Sequence, residues 1–143
     1  MFFGLVPVCA TYYLQRGVVT MEVVVEAVAC GLVIDTLLVV NNYRDRENDR
    51  RKGKVTLVVR IGEKAAEWLF LALGVTACLM GTAFLAGGHP WAFILPLGYL
   101  GLHISTWKRM VAINNGRQLN DILGENARNM TAYGILTTIG LLL

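Results

Sequence analysis

Five apolar runs, at residues 2–14, 18–40, 65–86, 90–107 and 130–143, fill most of the chain, and the charge is gathered into the connections between them. A hydrocarbon core of about 30 Å takes about 20 apolar residues in helix. Runs of that order, repeated this often, point to an all-α, multi-pass transmembrane helical bundle of about five spans. The first and last runs are the short ones. An ordinary soluble domain carries about 25% charged residues. Here charged residues are 16% and hydrophobic residues 55% of the 143, with a mean hydropathy of +0.54, which argues for a bilayer as partner and against nucleic acid. The residues form one domain, 1–143, with no internal repeat. The opening Met-Phe-Phe-Gly-Leu-Val has no basic stretch ahead of its apolar run and no small-residue cleavage pattern, so the first run reads as a helix that stays.

Gln15-Arg16-Gly17 and Gly87-Gly88-His89-Pro90 read as tight turns, since Gly supplies unusual backbone angles and Pro starts a helix. The other two connections, 41–64 and 108–129, are long and hold 12 of the 13 Lys and Arg residues: Arg44, Arg46, Arg50, Arg51, Lys52, Lys54, Arg60 and Lys64 in one, Lys108, Arg109, Arg117 and Arg128 in the other. Alternating spans place both on one side, and the excess of cations makes that side cytoplasmic in a cell membrane. Glu22, Glu26 and His89 then read as polar residues at the opposite interface. Tyr12, Tyr13, Trp68, Trp91 and Trp107 fall near span ends, where aromatic rings favour the interface. Cys9, Cys30 and Cys78 lie in apolar runs at no metal or redox spacing and read as small hydrophobes.

The motif loop 41–64 carries the chemistry. Asn41, Asp45 and Asp49 are spaced four and four, which on a helix puts two carboxylates and a carboxamide on one face. Such oxygens suit a hard cation such as Mg²⁺, which keeps waters and phosphate oxygens as its other ligands. Arg50, Arg51 and Lys54 follow at once, and Arg grips phosphate with a two-pronged contact. A metal-assisted pyrophosphate site at a membrane surface is one reading. A solvated, charge-rich loop is the other. The transporter loop Gly-x-x-x-Asp-Arg-x-Gly-Arg-Arg fits poorly, because Glu47-Asn48 follows Asp45-Arg46 and no Gly stands four residues before Asp45.

Asn41-Asn42-Tyr43-Arg44-Asp45, Asp49-Arg50-Arg51, Gly53-Lys54, Thr56-Leu57 and Arg60-Ile61-Gly62 together resemble the second aspartate-rich motif of the UbiA superfamily of intramembrane prenyltransferases. "FFGLVPVCATYYLQRG" and "GRQLNDILGENARNMTAYGILTTIGLLL" resemble flanking stretches of its 1,4-dihydroxy-2-naphthoate polyprenyltransferase branch, which serves menaquinone synthesis. The resemblance implies transfer of a polyprenyl group from an allylic polyprenyl pyrophosphate to an aromatic acceptor, with loss of carbon dioxide from a dihydroxynaphthoate to give a demethylmenaquinol. It implies Mg²⁺ at Asp45 and Asp49, with Asn41 ligating or orienting, and pyrophosphate contacts from Arg50, Arg51 and Lys54. Anchoring to anionic headgroups is the competing role for those cations.

The family's first aspartate-rich motif is absent from these residues. The chain therefore resembles the C-terminal half of a nine-helix fold, with a complementary N-terminal half or a homo-oligomer as expected partner. Another aromatic acceptor and a catalytically silent membrane bundle remain the alternatives. Asp35, inside the second apolar run, faces either a cavity or a satisfying neighbour. Asn114-Asn115-Gly116-Arg117 and Leu119-Asn120 read as loop or capping residues, with a lid as the other reading.

Overall fold

The computed structural model describes all residues, 1–143, as eight helices without a strand. Helices α1 (Phe2–Arg16) and α2 (Met21–Arg51) are joined by a turn in which Gly17 adopts φ +72° and donates its N–H to Tyr13 O. That left-handed conformation is free of strain only without a Cβ. Thr20 starts α2 as its N-cap, its hydroxyl accepting from the Val23 N–H. Then come α3 (Leu57–Ile61), α4 (Glu63–Met80), α5 (Ala83–Ala86), α6 (Pro90–Ile94), α7 (Leu97–Ile113) and α8 (Leu119–Leu142).

Two helical segments are long and apolar enough to cross a membrane, Met21–Arg51 and Glu63–Ala86. The other expected spans are built differently. The run 90–107 divides at Leu95-Pro96 into α6 and α7, because a proline nitrogen has no hydrogen to give to a continuing helix. The run 130–143 is the second half of α8.

The two charged connections are also less loop-like than their composition suggests. α2 continues through Arg51, and only 114–118 separates α7 from α8. An inward-facing stripe explains each extension. Val39, Val40, Tyr43, Arg46 and Asp49 are buried along α2, and Leu119, Ile122, Asn126, Asn129, Tyr133, Thr137 and Gly140 along α8. These spacings of three and four keep one helix face against the bundle, whatever the charge on the other face.

α2 is central, packing on α1, α3, α4 and α8. One apolar core lies toward its C-terminal end, with Val40, Tyr43, Val58, Phe70, Met110, Leu119 and Ile122 in contact. A second, around Ala29, Val33, Ala77, Tyr99 and Tyr133, lies toward its N-terminal end. Outside, Leu38, Trp68, Leu79, Ile135 and Leu142 are exposed, while Thr36, His103, Thr106, Asn126 and Asn129 are buried. In water that distribution wastes apolar surface. In hydrocarbon it costs little, because the polar groups bond across helices. Asn126 Nδ2 donates to Thr36 Oγ1 at 2.9 Å, joining α8 to α2, and Asn129 Nδ2 donates to Thr106 Oγ1 at 2.8 Å, joining α8 to α7.

Small residues mark the closest crossings. A Cβ on Gly4 would lie 2.3 Å from Gly31 N and Ala27 O, and one on Gly140 would lie 2.4 Å from Trp91 O. Backbone stands at both places, so only glycine fits.

The C-terminal ends of α2 and α7 and the N-terminal ends of α4 and α8 meet at one end of the bundle. Arg46 bonds both Glu63 and Asn114, and Arg44 bonds Asn120. Both basic connections are therefore together, as the alternation of spans requires. Gln15, Glu22, Glu26 and His89 line a cavity of about 600 Å³ between α1, α2 and the turn after α5, away from that charged end.

Candidate functional site

The helical reading of the acidic row holds: Asn41, Asp45 and Asp49 all lie in the last turns of α2. Asn41 and Asp45 are brought together by Arg44, which lies between them in the motif. Arg44 donates from Nε to Asp45 Oδ1 at 2.8 Å and from Nη2 to Asp45 Oδ2 at 2.7 Å and Asn41 Oδ1 at 3.0 Å. Its Nη1 reaches across to Asn120 Oδ1 at 2.9 Å, at the start of α8. The guanidinium hydrogen bonds hold the Asp45 carboxyl below the usual carboxylate range, against a smaller opposing effect of burial.

Asp49 is 5% exposed. Lys54 Nζ lies 3.4 Å from its Oδ1, and the turn between them is closed by the Lys54 N–H donating to Asp49 O. Asp49 Oδ2 is buried without a hydrogen-bond partner, an arrangement that calls for a ligand, since an unpaired buried polar atom is costly. Arg50 lies 3.4 Å from Glu47 Oε1, and Arg51 Nε donates to Glu47 O at 3.4 Å. Both are exposed and held only by these long contacts, so both can turn to an anion.

The oxygens of Asn41, Asp45 and Asp49 fit a hard divalent cation in chemical type. They are less than a full ligand set, because no three acidic, histidine or cysteine side chains converge anywhere in the chain. Water and phosphate oxygens must supply the rest.

Beneath this end of the bundle, Asp35, Leu38, Val39 and Asn42 of α2 line a cavity of about 350 Å³ with Leu57, Val58, Leu69 and Leu73. Asp35 borders this cavity, the first of the two roles considered for it.

The row is held in place by a network that sequence reasoning missed. Arg46, 4% exposed, donates to Tyr43 O, Asn114 O, Asn114 Oδ1 and Glu63 Oε2 at 2.6 to 2.9 Å. Its guanidinium also stacks 4.3 Å from the Tyr43 ring centre. Asn114 closes the triangle by donating to Glu63 Oε1 at 2.7 Å. It does so with φ +56° and ψ −51°, and the Asn115 N–H donates to Ile113 O across it, the geometry of a γ-turn of positive φ, which is rare and strained. Asn114 is thus a loop residue, as its sequence suggested, and the clamp on α2 besides.

Asn114 and Arg46 hold the Glu63 carboxyl below its ordinary value of 4.5. A depressed carboxylate contributes stability that is present above the unfolded value and is lost as pH falls through the folded one. Unfolding in detergent across acid pH is therefore expected to show stability falling from about pH 4.5 downward. The Glu63→Gln variant should show a flatter fall; an equal slope would remove Glu63 from the network.

The sequence profile of the UbiA prenyltransferase family matches residues 1–123. The chain belongs to the UbiA prenyltransferase family. Among curated relatives, the 1,4-dihydroxy-2-naphthoate octaprenyltransferase of Haemophilus influenzae is 32% identical over 146 residues, covering 99% of this chain and 46% of the relative. The enzyme of that name from Escherichia coli is 41% identical over 80 residues, 54% of this chain and 26% of the relative. That from Bacillus subtilis is 25% identical over 144 residues, 98% and 45%. The chain spans about half the length, or less, of the curated relatives it matches. No solved structure matches it. The network around Arg46 holds the charged end of α2 against α4 and the α7–α8 connection.

Proposed function

We propose that this UbiA-family chain takes part in transferring a polyprenyl group from an allylic polyprenyl pyrophosphate to 1,4-dihydroxy-2-naphthoate at the cytoplasmic face of the cell membrane. The observation that carries the proposal is the oxygen row Asn41, Asp45 and Asp49 beside three exposed cations at one end of an apolar bundle. Relatives named for this reaction support the choice of acceptor.

Asp45 and Asp49, with Asn41 beside them, would hold Mg²⁺. When bound there, Mg²⁺ supplies the positive charge that stabilises the departing pyrophosphate. Arg50, Arg51 and Lys54 bind the phosphate oxygens and take up charge as the carbon–oxygen bond breaks, which is electrostatic stabilisation of a developing anion. The apolar helices below accept the prenyl chain and keep water from the allylic cation. The electron-rich ring then forms the new carbon–carbon bond, and its carboxylate leaves as carbon dioxide, giving a demethylmenaquinol. The family's first aspartate-rich motif is not among these 143 residues, and the facing ligands of this reading are supplied from outside them.

The test is prenyl transfer in lipid vesicles with Mg²⁺, run on the chain alone and with a complementary half carrying the first motif. One demethylmenaquinol, one carbon dioxide and one pyrophosphate per turnover are expected. No product in either arrangement would make the chain a silent bundle, and product with a different aromatic acceptor alone would overturn the choice of ring.

A further inference from the structure

Arg44 has no part in the reaction as described above, yet its guanidinium lies where that reading puts a cation. It makes four hydrogen bonds, all to side-chain oxygens: one to Asn41, two to Asp45 and one to Asn120. Three of those oxygens belong to the donor row. The other cations of the block are placed differently. Arg50 and Arg51 rest on Glu47, and Lys54 touches Asp49 at 3.4 Å. Arg44 alone covers the Asn41 and Asp45 oxygens.

A guanidinium and a divalent cation cannot share these oxygens, because like charges a few ångströms apart repel strongly. A cation arriving alone must therefore break the Arg44 contacts and leave the guanidinium without a counter-charge. A cation arriving with pyrophosphate brings the replacement, since the planar fork that fits a carboxylate also fits a phosphate. Resting on the function proposed above, we infer that Arg44 is a resident counter-ion that keeps Asn41 and Asp45 closed until substrate arrives, and then moves its guanidinium onto the pyrophosphate. Metal and pyrophosphate binding are thereby coupled, and the coupling is reciprocal. The same movement breaks the Arg44–Asn120 hydrogen bond between α2 and α8.

The test is Mn²⁺ binding, followed by electron paramagnetic resonance on the full chain in lipid nanodiscs, with and without inorganic pyrophosphate at fixed free Mn²⁺. In the Arg44→Gln variant, Mn²⁺ without pyrophosphate should bind on the order of tenfold more tightly than in the unmodified chain, and the tightening by pyrophosphate should shrink by a similar factor. Arg44→Lys, which keeps the charge without the fork, should fall between. Asn120→Ala loosens Arg44 without touching an α2 oxygen, so it should shift Mn²⁺ affinity the same way by a smaller factor. It also carries the test if Arg44→Gln does not fold by circular dichroism. Mn²⁺ affinity that is unchanged or weaker in these variants overturns the role of Arg44 and leaves the metal reading standing. Failure of every form, unmodified included, to bind Mn²⁺ overturns both.

Discussion

Replacing Arg46 with alanine is expected to destabilise the bundle by about 1–3 kcal/mol, the cost of leaving its buried hydrogen-bond acceptors unsatisfied, since its ion-pair partner Glu63 is itself partly exposed. The side chain is 4% exposed and bonds three groups besides its own helix: Glu63 Oε2, Asn114 O and Asn114 Oδ1. Its removal leaves Glu63 Oε2 and both Asn114 oxygens without this donor at the point where α2, α4 and the α7–α8 connection meet. One donor, Nε, is already unpartnered, so the network is not perfect, but its remaining contacts all converge on this guanidinium. Arg46→Lys keeps the charge and loses the fork that spans Glu63 and Asn114 together, and should recover only part of the loss. Denaturant unfolding in detergent measures both. A change below about 1 kcal/mol for Arg46→Ala, the size typical of a surface pair, would mean that the clamp does not hold the end of α2.

The second large effect is functional. Changing Asp45 and Asp49 together to alanine should lower prenyl transfer by at least about 10³-fold, as expected when the groups that organise charge stabilisation are removed. Stability should respond differently at the two positions. Asp45 is partly exposed and faces an Arg44 that is itself partly exposed, so losing this pair costs about 1 kcal/mol or less. Asp49 is buried with one oxygen unpartnered, and removing an unsatisfied acceptor is not expected to be costly. The double variant should therefore remain folded while inactive. Loss of activity accompanied by an equal loss of helix would instead make the row structural.

The contrast between Arg46 and Asp49 also marks what was legible in the sequence. The four-residue spacing of Asn41, Asp45 and Asp49 is a local property of one helix, and it survives because α2 runs on through Arg51. The gathering of both basic connections at one end follows from alternation of spans, again without tertiary detail. The helical character of 119–129 was less visible because Asp121, Glu125 and Arg128 mask the stripe of Leu119, Ile122, Asn126 and Asn129 beneath them. The roles of Arg44 and Arg46 were not legible at all. As two more cations in a basic block, they are separated from Asn120 and Asn114 by 76 and 68 residues. Only the packing of α8 against α2, and of α7 against α4 and α8, brings them together. Helix periodicity places side chains on faces; it does not say which distant loop will meet them.

The most direct test of the account is retention of a labelled polyprenyl pyrophosphate by the chain in nanodiscs, measured with Mg²⁺ and with chelator, for the unmodified protein and the Asp45→Ala, Asp49→Ala double variant. Binding that requires Mg²⁺ and disappears in the variant is the result the account predicts. Binding that persists in chelator, or that the variant retains undiminished, would contradict it and reduce the charged end of α2 to a solvated surface.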